Sequence, residues 1–255
     1  MKFKYGLLLL LICLCTYYNA NCQSVADGDP ARFTRDHPGQ LLIVLTDDWQ
    51  SIHARLYGFG EKENAWKKVL ENPVVIGKGG LERAKGFNLL PALGGSYKKE
   101  GDGCSPAGFF GIGPAFGYAA SDSAKWIRFP YLEATGDLLC VDDSDSYYYN
   151  RLLIKDTAKQ DWKSFEQMHR SDEDYRWGLF VQYNYPKTIS GNGSCIFIHI
   201  WQNADSGTVG CTAMAESDIL SILKWVDYTK HPILIQMPEK IYEQIYRKLG
   251  LPQIN

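Results

Sequence analysis

Cys211 sits in Gly207-Thr208-Val209-Gly210-Cys211-Thr212, and His199 lies 12 residues earlier in the run Cys195-Ile196-Phe197-Ile198-His199-Ile200-Trp201. A thiol and an imidazole are the pair needed for acyl transfer: a thiolate attacks a carbonyl, and an imidazolium then protonates the leaving amine. Glycine before the cysteine lets the backbone turn sharply and lets a carbonyl approach. The backbone N–H groups of Gly210 and Cys211 are the expected oxyanion donors. A helix predicted to begin near Glu216 would favour the thiolate with its N-terminus. On spacing alone a second reading stays open, in which Cys211 is a small buried hydrophobe and His199 a structural residue. The order also differs from papain-like enzymes, where the cysteine comes first.

The elements that must position these groups read mostly as strands. Leu41 to Leu45 is a compact apolar run, Ile52 to Phe59 alternates loosely, and Trp66 to Ile76 is a third segment, broken at Asn72-Pro73. Trp177 to Tyr183 and Cys195 to Trp201 follow, the latter apolar enough for a central strand. Residues 77–118 are punctuated by glycine and predict loops. They lack G-x-G-x-x-G and a Walker lysine, so a phosphate-binding loop is rejected. A short helix is predicted over Asp161 to His169, with Trp162, Phe165 and Met168 at helical spacing. A stronger one runs from about Glu216 to Tyr228, its start capped by Ser217 or by Glu216-Ser217. Pro232 to Met237 is a last strand, and Pro238 opens a final helix. One domain over residues 40–250 is expected, mainly β with a few helices.

Lys2 and Lys4 precede the apolar run Leu7 to Cys15, which is the pattern of a secretory signal peptide over residues 1–22. Acylation of Cys22 as a lipoprotein is one alternative, weakened by the lack of an apolar residue three positions before it, and a plain N-terminal anchor is another, weakened by the short apolar run. Residues 23–39 read as a flexible lead-in. Export would leave Cys104, Cys140, Cys195 and Cys211. Cys140 and Cys195 read either as a disulfide or as two buried thiols. The whole chain has 255 residues, 45% hydrophobic and 22% charged, with a net charge of −2. That composition excludes a disordered chain or coiled coil, and the near-neutral balance argues against nucleic acid as a partner. No C-x-x-C or H-x-x-H spacing suggests a metal site.

The segment Tyr97-Lys98-Lys99-Glu100-Gly101-Asp102-Gly103-Cys104-Ser105-Pro106-Ala107-Gly108-Phe109 resembles the K-R-E-G-D-G-x-T-P-A-G-x-F stretch of the YkuD-like L,D-transpeptidase superfamily. Ile196-Phe197-Ile198-His199 followed by Gly207-Thr208-Val209-Gly210-Cys211-Thr212-Ala213-Met214 resembles its catalytic histidine and its [S/T]-x-G-C motif, in a branch with G-x-x-G-C-x-A-M. The resemblance covers about residues 40–240. It implies a β-sandwich or barrel with helices packed outside, and an enzyme acting on peptidoglycan stem peptides. Cys211 would carry a thioester acyl-enzyme and His199 would serve as base and acid. No metal or organic cofactor is needed for this chemistry, and no obligatory protein partner is expected. The location implied is the periplasm or cell envelope.

The sequence departs from the commoner S/T-H-G-C motif at Val209, and Thr212-Ala213 replaces the usual apolar–Arg pair. Arg151, beside Tyr149 and Asn150, is the candidate to replace that arginine as a carboxylate ligand, with Thr208 as a further binding residue. A surface arginine is the competing reading. The acceptor is left open between an amine, giving transpeptidation, and water, giving carboxypeptidase or amidase action. A non-catalytic wall-binding module is the alternative from another class. A sortase shares the His-before-Cys order, but T-L-x-T-C and a matching downstream arginine are missing.

Overall fold

Every residue of β1 (Gln40–Thr46) is buried, because the strand has a neighbour on each side: β2 (His53–Lys62), antiparallel, and β13 (Ile233–Pro238), parallel. These elements come from a computed structural model that describes residues 28–87 and 96–254. The expected signal segment and the Gly94-Gly95 pair lie outside the described residues.

β3 (Ala65–Val75) pairs with β2 along its length and continues through Asn72-Pro73, where the sequence predicted a break. Its other side meets β12 (Thr212–Met214) only at Val75, so Pro73 can turn its nitrogen, which lacks a hydrogen, to the unpaired side. The larger correction is β5 (Ser105–Gly117), a buried 13-residue strand within the stretch expected to be loops. Its glycines make room rather than turns. A Cβ on Gly113 would come within 2.8 Å of the Phe180 ring, and one on Gly117 within 2.3 Å of the Arg176 carbonyl oxygen.

β5 joins the two ends of the sheet. It pairs with β4 (Leu81–Arg83) and β13 toward its start, and with β6 (Tyr131–Glu133) and β10 (Trp177–Gln182) toward its end. From β10 the order runs through β11 (Phe197–Ile200), β12, β3, β2, β1 and β13 back to β5, so the sheet closes into a barrel. Closure removes the unpaired edges that an open sheet would leave.

A separate three-stranded sheet consists of β7 (Leu138–Cys140), β8 (Leu152–Ile154) and β9 (Glu166–Gln167). β9 lies where the sequence predicted the Asp161–His169 helix. The apolar spacing there serves two clusters from extended chain: Trp162 packs with Leu139 and Val141, while Met168 joins Phe116 and Phe197.

The lead-in contains a short helix, α1 (Ala31–Asp36), whose Phe33 ring lies 6.3 Å from Trp66. α2 (Glu216–Trp225) buries Ile219, Ile222 and Leu223. Its N-cap is Ala215, without a side-chain bond, so Ser217 is not the cap, and the chain turns extended at Val226, before the predicted end. α3 (Glu239–Leu249) follows Pro238, as expected.

Alternation along the strands separates two cores. Ile198 and Ile200 of β11 belong to the main core with Leu41, Ile43 and Leu179. Phe197 faces the other way, into a second cluster with Phe116, Phe180, Tyr175, Cys140, Cys195 and Cys211. The small sheet covers this second side of the barrel wall, where Cys211 lies.

Candidate active site

β11 and β12 are parallel neighbours, with Ile198 opposite Thr212 and His199 opposite Ala213. Cys211, one residue before β12, is therefore level with Phe197, and the two-residue period places His199 on the same face. The Phe197 N–H donates to the Cys211 Sγ at 3.3 Å, and the thiol points to the Cys195 carbonyl at 3.6 Å. Cys211 and His199 line one cavity of about 290 Å³, together with Arg170, Asp174, Tyr175, Trp201 and Thr208. Both are buried, Cys211 to 3% exposure and His199 to 6%.

His199 Nδ1 lies 2.7 Å from the Ile200 carbonyl oxygen, which only accepts, so Nδ1 carries the proton and Nε2 holds the lone pair. Burial depresses the imidazole to about 4. Burial likewise pushes the Cys211 thiol well above its ordinary value; Glu166 adds to this, and the Phe197 N–H opposes it. The resting pair at neutral pH is thus uncharged. The helix-dipole expectation needs correction, because β12 separates Cys211 from the start of α2 at Glu216. Sulfur receives a backbone N–H from β11 instead.

The turn before Cys211 is built from several directions. Gly210 has φ +151°, and a Cβ there would meet the Cys104 carbonyl oxygen at 3.2 Å. Thr208 Oγ1 accepts from Gly210 N–H at 3.0 Å and donates to the Cys211 carbonyl at 2.6 Å. Ser105 Oγ, at the start of β5, donates to the Gly210 carbonyl at 2.7 Å and accepts from Gly77 N–H at 2.9 Å. Thr208 is therefore a turn-forming residue on the cavity wall, and the Gly210 N–H, one of the two expected oxyanion donors, already has an acceptor.

The structure does not bring Tyr149, Asn150 and Arg151 to Cys211. Tyr149 donates its hydroxyl to Glu100 and accepts from Gly193 N–H at 3.0 Å. Asn150 Nδ2 donates to the carbonyls of Tyr183 and Asn184, both at 2.8 Å, and its Oδ1 accepts from Cys195 N–H at 2.9 Å. These two hold the chain that leads into β11. Arg151 lines two other cavities with Leu152, Tyr147 and Pro186, its guanidinium 5.4 Å from the Tyr147 ring centre.

The arginine inside the cavity is Arg170, which the sequence reading passed over. It grips Asp172 with Nε at 2.9 Å and Nη2 at 2.7 Å, and its guanidinium lies 5.0 Å from the Tyr175 ring centre. Arg170-Ser171-Asp172-Glu173-Asp174-Tyr175 is dense in charge just before a strand, and that density was the available signal.

Cys140 and Cys195 form a disulfide, which fastens the small sheet to the start of β11. Cys104 is a free, buried thiol donating to the Gly79 carbonyl at 3.3 Å. Among the described residues, no group of three or more His, Cys, Asp or Glu is placed to hold a metal ion, and no helix is long and apolar enough to cross a membrane.

The family model for the YkuD L,D-transpeptidase catalytic domain matches residues 53–235. Among solved structures the chain is similar to the helical cell shape determining protein Pgp2 from Campylobacter jejuni, with 17% identity and a TM-score of 0.37, over 78% of this chain and 48% of that one. It is also similar to Bd1075 of Bdellovibrio bacteriovorus, with 13% identity and a TM-score of 0.36, over 82% and 54%. The chain spans about half the length of these two structures. No curated protein gives a significant match. A match over residues 53–235, a stretch that contains both Cys211 and His199, means that the chain belongs to the YkuD family of L,D-transpeptidase catalytic domains.

Proposed function

We propose that this protein is an exported cysteine acyltransferase that acts on peptidoglycan stem peptides, cleaving a bond between an L-centre and a D-centre through a thioester. The observation that carries this reading is the shared cavity of Cys211 and His199, with the imidazole oriented by the Ile200 carbonyl. The Cys211 proton passes to His199 Nε2 as sulfur attacks the carbonyl carbon. The Cys211 N–H, without an acceptor among the described residues, faces the oxyanion. The imidazolium then gives its proton to the leaving amine. An acceptor amine, or water, attacks the thioester and returns the thiol. Transfer of the proton between two uncharged buried groups creates an ion pair only when substrate is present to stabilise it.

Arg170 takes the role that the sequence reading gave to Arg151. A guanidinium on the wall of the reaction cavity can hold a substrate carboxylate while Asp172 fixes its plane. Its place also argues against the non-catalytic wall-binding alternative. The 3% exposure of Cys211 favours a second reading in which water is the acceptor, since water reaches a buried thioester more easily than a second stem peptide does.

Incubating the protein and its Cys211→Ala variant with purified muropeptides, followed by mass spectrometry, tests the proposal. Loss of a terminal D-amino acid identifies a carboxypeptidase. New cross-links or exchange of that residue identify a transpeptidase. No product from the unaltered protein over a range of muropeptides would refute the catalytic reading.

A further inference from the structure

Glu166 has no part in the acyl transfer above, yet two routes join it to the site. The first runs through Tyr175, whose hydroxyl donates to Glu166 Oε2 at 2.5 Å and whose ring stands edge-on to His199 with centres 5.1 Å apart. Tyr175 is buried and lines the cavity of Cys211. The second route is covalent. Glu166 is paired with Cys140 in the small sheet, Cys140 is bonded to Cys195, and the Cys195 carbonyl is the one the Cys211 thiol points to. The same apolar cluster holds Tyr175, Phe197, Met168 and Cys211.

We propose that Glu166 is a positioning residue that sets, by its own charge, how readily Cys211 becomes a thiolate: the protonated carboxyl permits it and the carboxylate opposes it. This rests on the reading of Cys211 as the nucleophile. Glu166 neither gives nor takes the proton of the reaction, which moves between Cys211 and His199.

The groups around Glu166 favour its neutral form. Asp142 follows β7, and its Oδ1 is buried without a hydrogen-bond partner among the described residues. Glu100, from the segment before β5, accepts from Ser194 at 2.7 Å and from Tyr149. Both raise the cost of a charge on Glu166. Arg170 is the cation opposing them, and its guanidinium is bound bidentately to Asp172, with Asp174 at 3.9 Å. Desolvation is the largest effect, and together these push Glu166 up to about 7, with the Tyr175 hydroxyl working in the opposite direction. At Cys211 the carboxylate is opposed by Lys98 and Arg170. A thiolate at Cys211 and a carboxylate at Glu166, which is tied to the same cluster through Tyr175, disfavour each other.

The experiment is the rate at which iodoacetamide alkylates Cys211 between pH 5.5 and 9. Peptide-resolved mass spectrometry separates Cys211 from Cys104. For an isolated thiol the rate rises about tenfold per pH unit below its pKa. The unaltered protein is expected to show a plateau around pH 7, where Glu166 ionises, and then to resume its rise. Glu166→Gln removes the plateau and alkylates about tenfold faster at pH 9, which corresponds to one pKa unit of coupling. Tyr175→Phe keeps the ring beside His199 but removes the donor that stabilises the carboxylate, so the plateau moves to higher pH. Parallel profiles for the unaltered protein and Glu166→Gln overturn the proposal.

Should Glu166→Gln fail to fold, a carbon-13 titration of the Glu166 carboxyl in the unaltered protein decides. A midpoint near 7 that coincides with the plateau of the alkylation profile supports the coupling, and a midpoint near 4.5 overturns it. Alkylation needs no peptide substrate. A plateau without muropeptide turnover would therefore refute the peptidoglycan reading alone, and turnover with parallel profiles would refute this inference alone.

Discussion

Arg170 and Arg151 each lie over a tyrosine ring, at 5.0 Å on Tyr175 and 5.4 Å on Tyr147, but in different kinds of place. Tyr175 is 4% exposed and stands between His199 and the aromatic cluster, whereas Tyr147 is 74% exposed. Arg170 is oriented by Asp172 on the wall of the cavity that holds the thiol. Arg151 lines open grooves beside Pro186. A cation over a ring is worth about 0.5–1 kcal/mol when exposed and about 2 or more when desolvated, so the same pair of side chains orders one arginine far more than the other. Residue type and a nearby tyrosine do not distinguish the two arginines; the orienting carboxylate and the cavity shared with Cys211 do.

The comparison can be broken in several ways. The largest effect belongs to the reaction itself: Cys211→Ala should lower turnover of muropeptides at least roughly a thousand-fold, with His199→Gln close behind, both read by mass spectrometry. Arg170→Ala should weaken kcat/KM by about 10- to 100-fold, mainly through KM, while Arg151→Ala changes it less than about twofold. If Arg151→Ala proves the more harmful, the assignment of the two arginines is reversed.

A stability measurement comes next. His199 is depressed from an ordinary value of 6.5 to about 4, so it contributes stability that is present above pH 6.5 and is lost as the pH falls through 4. The loss has an upper bound of about 3 kcal/mol, and in His199→Gln that part of the pH dependence of Tm should vanish. A smaller effect is expected at the turn. Thr208→Val removes the acceptor of Gly210 N–H and the donor to the Cys211 carbonyl, and should cost about 1–2 kcal/mol in denaturant unfolding. Tyr147→Ala, by contrast, should stay within about 0.5 kcal/mol.

The parts of this molecule that could be read in the sequence are those fixed by a short pattern. The run Leu41–Leu45 announced a buried strand, and the spacing of Ile219 and Leu223 announced a helix face. His199 and Cys211 were legible because their strands are adjacent and parallel, so a separation of 12 residues is bridged by one crossover. β5 was not legible, since its glycines answer to rings on other strands: Phe180 at Gly113, and backbone near Trp177 at Gly117. The Asp161–His169 segment misled for a related reason, its apolar residues being shared between two clusters that only the folded chain defines. Arg170 was passed over because its place depends on Asp172 and on the cavity, and Arg151 was favoured because it follows three tyrosines, although the fold sets it in other cavities.

The disulfide between Cys140 and Cys195 also bears on how the protein is made. It closes a loop across 55 residues and takes two thiols out of a cluster that also contains Cys211. Of the four cysteines in the described chain, the folded, oxidised protein therefore offers two titratable thiols, Cys104 and Cys211. In chain produced in reducing cytosol these four would all be thiols, three of them packed together, and could pair Cys211 wrongly during purification. Counting thiols under denaturing conditions before any activity measurement tells the two preparations apart by the two thiols of Cys140 and Cys195, and an inactive sample that carries both says nothing about the folded, oxidised protein.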